Sequence, residues 1–194
     1  MASGKGGVGK STCAANLSLA LAKLGARVGV VDADIYGPSQ ARMLGIEGVK
    51  PEVLPEKRIV PIESPLGVWA MGMGNLMGGD APMAWRGPMA TGALQQMLRQ
   101  TVWPDLDFLV VDMPPGTGDI QLTLAQSVPV SGSVIITTPQ DIALLDAKKG
   151  IELFRKVSIP VLGVVENMAM HTCSQCGYKA VSYTHLRAHE TTSH

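Results

Sequence analysis

Hydrophobic residues in this chain form short β-branched runs that alternate with longer amphipathic stretches. Runs such as RVGVVD and DFLVVD are typical of parallel strands, because near-continuous hydrophobicity indicates burial on both faces of a sheet. The stretches between them are typical of crossover helices, so we expect an α/β fold with a mostly parallel sheet and helices on both faces. The pattern predicts strands at 27–32, 107–112, 133–138 and 161–166, and helices at 11–24, 88–100, 119–126 and 141–157.

Three regions fit this alternation less well. Residues 45–79 are rich in Gly, Pro and Met and hold two short strand candidates, RIVPI and VWAMGM. Only Met1, Ala2 and Ser3 precede a glycine-rich loop, too few for the strand that normally leads into such a loop. The last stretch, AVSYTHLRAHETTSH, has no apolar periodicity. We therefore expect a domain at residues 1–178 that is truncated at both ends, followed by a non-native tail at 179–194.

Charge and hydropathy narrow the classes of function. The 16 basic and 16 acidic residues cancel, so no overall charge attracts the protein to nucleic acid or to an anionic membrane. No apolar run reaches about 18 residues, and the loop near Met1 leaves no space for a secretory signal. We therefore expect a cytoplasmic protein that binds neither nucleic acid nor membrane.

Residues 4–11, GKGGVGKS, match the phosphate-loop pattern G-x-x-x-x-G-K-[ST]. In such a loop, successive backbone N–H groups point at an anion, and the following helix adds its positive end. Lys10 is then placed for the β- and γ-phosphates, Ser11 for Mg²⁺ and Thr12 for a further phosphate. A glycine turn that only caps a helix would need neither the lysine nor the hydroxyl. The pattern predicts an ATP and Mg²⁺ site whose backbone cradle is formed by Gly4, Gly6, Gly7, Val8 and Gly9.

Aspartates follow two of the predicted strands. FLVVD ends in Asp112, the candidate that would hold Mg²⁺ directly or through water. VVDADIYGPS places Asp32 and Asp34 on a loop facing the same phosphates, and we take Asp34 as the candidate that positions the attacking water. The simpler alternative for each is a helix cap or a solvated loop residue. All three follow C-terminal strand ends, where open α/β sheets bind ligands.

The loop has a second lysine, Lys5, directly after its first glycine. In this respect KGGVGKST resembles the deviant Walker A motif of the MinD/ArsA/ParA class of dimeric ATPases. The resemblance implies that Lys5 reaches across a dimer interface to the nucleotide of the partner, where a cation would stabilise transition-state charge. A solvated surface lysine is the alternative. Hydrolysis would thereby depend on a homodimer.

Two cysteines, Cys173 and Cys176, form a C-x-x-C pair on a loop after the last predicted strand. A thioredoxin-like redox pair is one interpretation, but that motif opens a helix in a fold without a nucleotide loop. Zinc or iron-sulfur ligation is the better interpretation, and both usually need four ligands. Because one chain supplies two, a two-fold dimer would bring four thiolates together.

Longer motifs narrow the resemblance to the Mrp/ApbC-type iron-sulfur cluster carrier ATPases. They are KGGVGKST, DADIYGPSQARMLG, WRGPM, ALQQML, LVVDMPPGTGDIQLTLAQ, TTPQD and ENM followed by C-x-x-C. The resemblance implies a bridging [4Fe-4S] cluster on Cys173 and Cys176 of two subunits, transferred to apo-proteins. It also implies that Asn167 contacts the adenine.

Two other functions remain open from the sequence. A MinD/ParA-type positioning ATPase would act on membranes or chromosomes, but it has no need of the thiols. A nucleotide-gated scaffold with structural zinc would hydrolyse little ATP. Because fold analogy cannot choose among these functions, the cysteine pair carries the choice.

Overall fold

The computed structural model describes residues 1–35, 37–72, 74–75, 87–118, 121–122 and 129–181. In these ranges the chain alternates helices and strands, as the hydrophobic pattern predicts. The helices are α1 (Lys10–Lys23), α2 (Gln40–Met43), α3 (Gly87–Gln100) and α4 (Asp141–Lys156). The strands are β1 (Val28–Asp32), β2 (Val53–Leu54), β3 (Arg58–Ile59), β4 (Ile62–Glu63), β5 (Trp69–Gly72), β6 (Phe108–Asp112), β7 (Ser133–Thr137), β8 (Val161–Glu166), β9 (Met170–Thr172) and β10 (Lys179–Val181).

The sheet is mostly parallel, which confirms the expected fold class. One group of strands has the order β4-β5-β1-β6, in which only β4 is antiparallel to its neighbour. The pair β7-β8 is also parallel. Residues 1–3 run between the two groups: Ala2 forms an isolated parallel bridge with Ile135, and the Met113 N–H donates to the Met1 carbonyl at 3.0 Å. They occupy the place of a strand without forming one, as their number predicts.

Two clusters of buried side chains lie on opposite faces of the sheet, and β1 contributes to both. Because strand residues alternate in direction, Val28 and Val30 pack in one cluster while Val31 packs in the other. Leu44 and residues of α1 cover the first face, and Phe154 with residues of α3 and α4 covers the second. This confirms helices on both faces.

Element boundaries agree with the sequence pattern to within about one residue at the four predicted strands and at three helices. Helix α1 ends before Gly25, whose φ of 96° is a left-handed conformation that glycine adopts without a Cβ penalty. The helix predicted at 119–126 falls largely outside the described residues, although Gln121 and Leu122 are helical. The segment that the pattern left unplaced forms strands β2 to β5.

The prediction of burial on both faces is correct for β1 and wrong for β8. Every residue of β1 is buried, whereas Leu162 is 69% exposed and Val164 is 50% exposed. In the described part of the chain β8 pairs only with β7, and β-branched composition cannot report whether a second neighbour covers a strand. Strand β6 is intermediate, since its first residues Phe108 and Leu109 are exposed.

The folded part extends slightly beyond the boundary expected at residue 178. Lys179–Val181 forms β10 and pairs antiparallel with β9, so these three residues close a hairpin. Residues 182–194, the remainder of the expected tail, lie outside the described residues. None of the helices in the described ranges is long and apolar enough to cross a membrane.

Candidate nucleotide and thiol sites

The phosphate loop lies at the C-terminal edge of the sheet and leads directly into α1. Gly7 and Gly9 have φ angles of 77° and 83°, which residues with a Cβ rarely adopt. Val8 between them is buried, and the Ser3 hydroxyl donates to the Lys5 carbonyl at 2.9 Å. Glycines thus occupy the two left-handed positions of the loop.

Gly4 serves a different purpose from its neighbours in the motif. A Cβ added at Gly4 would overlap the backbone C and O of Asp146 in α4 and lie 2.6 Å from the Asp146 Cβ. A Cβ at Gly6 would meet nothing closer than 4.0 Å, at Pro115. The first glycine is thus required for close packing of the loop against α4.

An open cleft of about 360 Å³ lies over the loop. Beyond the loop itself, Asp34, Ser39, Met43 and Pro115 line it. Lys5, Lys10, Ser11 and Thr12 also line the cleft, so the structure brings these predicted site residues together. The backbone amides of the loop, the hydroxyls of Ser11 and Thr12 and the two lysines suit a phosphorylated ligand.

Lys10 and Asp112 form a buried ion pair behind the cleft. Lys10 Nζ pairs with Asp112 Oδ1, and their side chains are 6% and 0% exposed. Gln40 Nε2 donates to Asp112 Oδ2 at 2.9 Å, so both oxygens of this carboxylate are engaged. The sequence interpretation missed Gln40, because its contact with Asp112 joins residues 72 positions apart and leaves no signal in the local sequence.

The two aspartates of the DAD motif have different environments. Asp34 lines the cleft, and its Oδ1 accepts the Gly37 N–H at 3.1 Å. Asp32 is only 3% exposed and accepts backbone N–H groups from Asp34, Ser39 and Gln40 at 2.8 to 3.1 Å. Burial raises the pKa of Asp32 to about 6, against the lowering effect of these hydrogen bonds. Asp32, expected to face the phosphates, therefore lies outside the described cleft lining and organises the loop that carries Asp34.

Asn167 lies at the C-terminal end of β8, beside the phosphate loop. Its Nδ2 donates to the Val8 carbonyl at 2.9 Å, and its backbone N–H donates to the Thr137 carbonyl at 2.8 Å. A Cβ at Gly9 would overlap Asn167 Nδ2, so this glycine also makes space for the asparagine. The side chain expected at the adenine thus supports the loop backbone.

The cysteine pair occupies the turn of the β9-β10 hairpin, an element that the sequence did not predict. The Gly177 N–H donates to the Cys173 carbonyl at 2.9 Å, and Gly177 has a φ of 71°. Cys176 is exposed and Cys173 partly exposed. Backbone N–H groups of Cys176 and Gln175 lower the pKa of the Cys173 thiol, which favours the thiolate that metals bind.

One hairpin does not complete a four-ligand site. Among the residues that the structure describes, no group of three or more His, Cys, Asp or Glu is placed to hold a metal ion. The two thiols of one chain would therefore supply only part of a four-ligand site.

A parallel sheet with a glycine-rich loop opening its first helix, and an aspartate ending the neighbouring strand, defines a P-loop nucleotide-binding protein. The fold is similar to a nucleotide-binding protein in complex with ADP from Archaeoglobus fulgidus, with a TM-score of 0.81, 37% identity and coverage of 94% of this chain and 70% of that one. It is also similar to the septum site-determining protein MinD complexed with Mg-ADP from Pyrococcus horikoshii, with a TM-score of 0.62, 25% identity and coverage of 85% and 67%. The chain belongs to the NUBPL iron-transfer P-loop NTPase family, whose ParA model matches residues 1–194.

Curated relatives agree with this assignment and confirm the resemblance inferred from the motifs. The chain is 69% identical over 179 residues to an iron-sulfur cluster carrier protein of Pseudomonas fragi, covering 92% of this chain and 62% of that protein. It is 61% identical over 178 residues to one from Escherichia coli K12, covering 92% and 48%. It is 52% identical over 181 residues to the mouse iron-sulfur cluster transfer protein NUBPL, covering 92% and 56%. The chain thus spans about half to two thirds of the length of these relatives.

Proposed function

We propose that the protein is an ATP-hydrolysing iron-sulfur cluster carrier that works as a homodimer. Each subunit binds ATP and Mg²⁺ at its phosphate loop, and the dimer holds one [4Fe-4S] cluster as cargo for apo-protein clients. The observation that carries the proposal is the partial ligand set: two accessible thiols on a hairpin turn, in a chain with a built phosphate loop. Relatives named as carrier or transfer proteins support the choice of cargo.

The phosphate-binding step rests on the loop and on Lys10. Backbone N–H groups of residues 6–10 and the N-terminal end of α1 provide positive charge for an anion. The Lys10 ammonium now neutralises Asp112, and a bound γ-phosphate would compete for it. The 37% identical structural neighbour, which is in complex with ADP, supports this use of the cleft.

The residues present fit Mg²⁺, which prefers oxygen ligands. Ser11 at the cleft and Asp112 behind it are the residues that would hold the ion. When bound, Mg²⁺ neutralises charge on the β- and γ-phosphates. Asp34 lines the cleft and would orient the attacking water by accepting its proton in a hydrogen bond.

Lys5 is proposed to act on the nucleotide of the other subunit. Within its own chain it lines the cleft next to Gly6, and Gly6 is exposed. A cation supplied in trans typically contributes about 10³ to 10⁵ in rate, so hydrolysis requires the dimer.

A complementation experiment tests whether Lys5 acts on the nucleotide of the other subunit. Lys5→Ala and Lys10→Ala chains are each expected to hydrolyse ATP poorly alone. Mixing them would restore part of the activity, because the site of a Lys5→Ala chain receives the Lys5 of its Lys10→Ala partner. Lys23→Ala, at the exposed end of α1, serves as a surface-charge control. No recovery on mixing, with mixed dimers shown to form, would contradict trans action.

The thiols would share the cluster across the two-fold axis. Four thiolates are the common ligand set for a [4Fe-4S] cluster, and two hairpin turns supply that number. An exposed position on a turn suits a cargo that must be released, since a client thiol can approach from solvent.

Anaerobic reconstitution with iron and sulfide tests the cargo. We expect a visible charge-transfer band and about one cluster per two chains. Cys173→Ala and Cys176→Ala would each abolish the band, whereas Cys13→Ala, the matched control on α1, would retain it. Bound zinc without iron or sulfide would favour a structural scaffold, and a cluster that survives loss of either hairpin cysteine would refute the proposal.

A further inference from the structure

Gln40 connects three parts of the nucleotide site from behind the cleft. It is 2% exposed, and its Nε2 donates to Asp112 Oδ2 and to the Ser11 carbonyl, both at 2.9 Å. Both partners are acceptors only, a carboxylate and a backbone carbonyl. The orientation of the amide is therefore fixed by chemistry, because only the NH₂ group can face them.

The backbone of Gln40 extends this connection to the loop of Asp34. Its N–H donates to Asp32 Oδ2 at 2.9 Å, and the Ser39 N–H donates to the same oxygen at 2.8 Å. Asp32 Oδ1 in turn accepts the Asp34 N–H at 3.1 Å. One residue thus links α1, the end of β6 and the DAD loop.

The carbonyl oxygen of the Gln40 amide, Oε1, indicates whether the donor or the acceptor of this side chain matters. Its Oε1 is buried and accepts no hydrogen bond from any residue that the structure describes. A buried acceptor without a partner is destabilising, and a methionine would fill a similar volume without that penalty. The useful property is therefore the donor that faces Asp112.

Asp112 has two oxygens with different partners. Lys10 pairs with Oδ1 and Gln40 donates to Oδ2. If the phosphates draw Lys10 away, Gln40 keeps its hold on Oδ2 and Oδ1 becomes available. Without that hold, the carboxylate can turn about its last torsion, which is broad and roughly two-fold.

We propose that Gln40 is a positioning residue that holds Asp112 by Oδ2 and so presents Oδ1 to magnesium, directly or through water. Gln40 does not contact the nucleotide in this role. Its effect lies in the magnesium-dependent part of nucleotide affinity. The inference rests on the proposed nucleotide site, and its test separates the two.

The test compares nucleotide binding with and without magnesium in the full chain. A fluorescent, non-hydrolysable ATP analogue is titrated in EDTA, and then at fixed analogue concentration with increasing Mg²⁺. Gln40→Met removes the donor while keeping length and volume. Gln96→Met, at an exposed position of α3, is the matched control.

We expect Gln40→Met to need about tenfold more Mg²⁺, equivalent to about 1.4 kcal/mol, with unchanged affinity in EDTA. A merely structural role would weaken both titrations together. Gln40→Asn keeps an amide donor on a shorter side chain, so its magnesium requirement would lie between those of wild type and Gln40→Met. This variant also keeps the test decisive if Gln40→Met proves unstable.

The outcomes are distinct. A wild-type chain that binds no analogue in either condition refutes the nucleotide site itself. A wild-type chain with a clear magnesium effect, matched by Gln40→Met, refutes only the role of Gln40. An Asn variant with the magnesium requirement of wild type would also refute it, because its shorter side chain cannot hold Asp112 Oδ2 at 2.9 Å.

Discussion

Replacing Gly4 with alanine tests whether the first glycine of the phosphate loop is required for packing. The new Cβ would lie 2.6 Å from the Asp146 Cβ and overlap the backbone of the same residue. Carbon atoms in protein interiors meet at about 3.5–4.0 Å, so the overlap is roughly 1 Å. Because the obstacle is helix backbone, it cannot turn aside as the end of a flexible side chain does.

The expected cost follows from this geometry. Adding a methyl group to a well-packed site typically destabilises a protein by about 1–3 kcal/mol, and a clash with backbone belongs at the upper end. We therefore expect Gly4→Ala to lower the free energy of unfolding by about 3 kcal/mol. Gly6→Ala is the matched control in the same loop, where the nearest atom to an added Cβ is 4.0 Å away. We expect it to change stability by no more than about 0.5 kcal/mol.

Urea unfolding of both variants, followed by far-ultraviolet circular dichroism without nucleotide, measures this difference. The slope of the transition must stay constant for the comparison to report stability. If Gly4→Ala and Gly6→Ala prove equally stable, the close approach of the loop to α4 is wrong. If both lose several kcal/mol, the glycines are required by loop conformation rather than by packing.

Three further predictions concern single residues. Burial raises the pKa of Asp32 from its ordinary 3.8 to about 6 in the folded protein, so the folded state binds this proton more readily than the unfolded state. The contribution of Asp32 to stability therefore rises as the pH falls from about 7.5 to about 5. Asp32→Asn is expected to remove about 1 kcal/mol of that rise in urea unfolding at the two pH values, and an unchanged pH dependence would contradict the assignment. Asn167→Ala leaves the Val8 carbonyl without its side-chain donor and is expected to lower the free energy of unfolding by about 1 kcal/mol in the same assay. No measurable loss of stability would show that the 2.9 Å hydrogen bond is weak. Cys173 is expected to be alkylated by iodoacetamide faster than Cys13 at about pH 7.5. The reason is that hairpin N–H groups lower the pKa of the Cys173 thiol, whereas burial raises the pKa of the Cys13 thiol. Equal alkylation rates by mass spectrometry would refute this prediction.

Sequence reasoning was most successful where the information is local. The phosphate loop follows from a short string of glycines, a lysine and a hydroxyl, because left-handed backbone and an anion cradle are properties of adjacent residues. The strands of the parallel sheet and the helices that cover it follow from the periodicity of hydrophobic residues, which depends on neighbours along the chain. The C-x-x-C spacing likewise predicted that two thiols lie close together, without any knowledge of the hairpin that displays them.

The sequence was less informative about residues whose roles depend on distant partners. Gln40 and Asp112 are separated by 72 positions, and nothing in the DADIYGPSQ string indicates that its last residue meets a β6 carboxylate. Asp32 and Asp34 look equivalent in the sequence, yet one is enclosed by backbone donors and the other lines the cleft. Exposure of β8 was also missed, because pairing decides it and composition does not.

By itself, the sequence determined the order of helices and strands along the chain, the phosphate loop and the presence of a thiol pair. All of these arise from residues close together in the chain. Only the tertiary structure decided which glycine makes space for a helix, which aspartate lines the cleft and which amide holds the buried carboxylate. Those choices depend on packing between segments far apart in sequence, where sub-ångström differences in approach determine whether a side chain fits, pairs or is excluded.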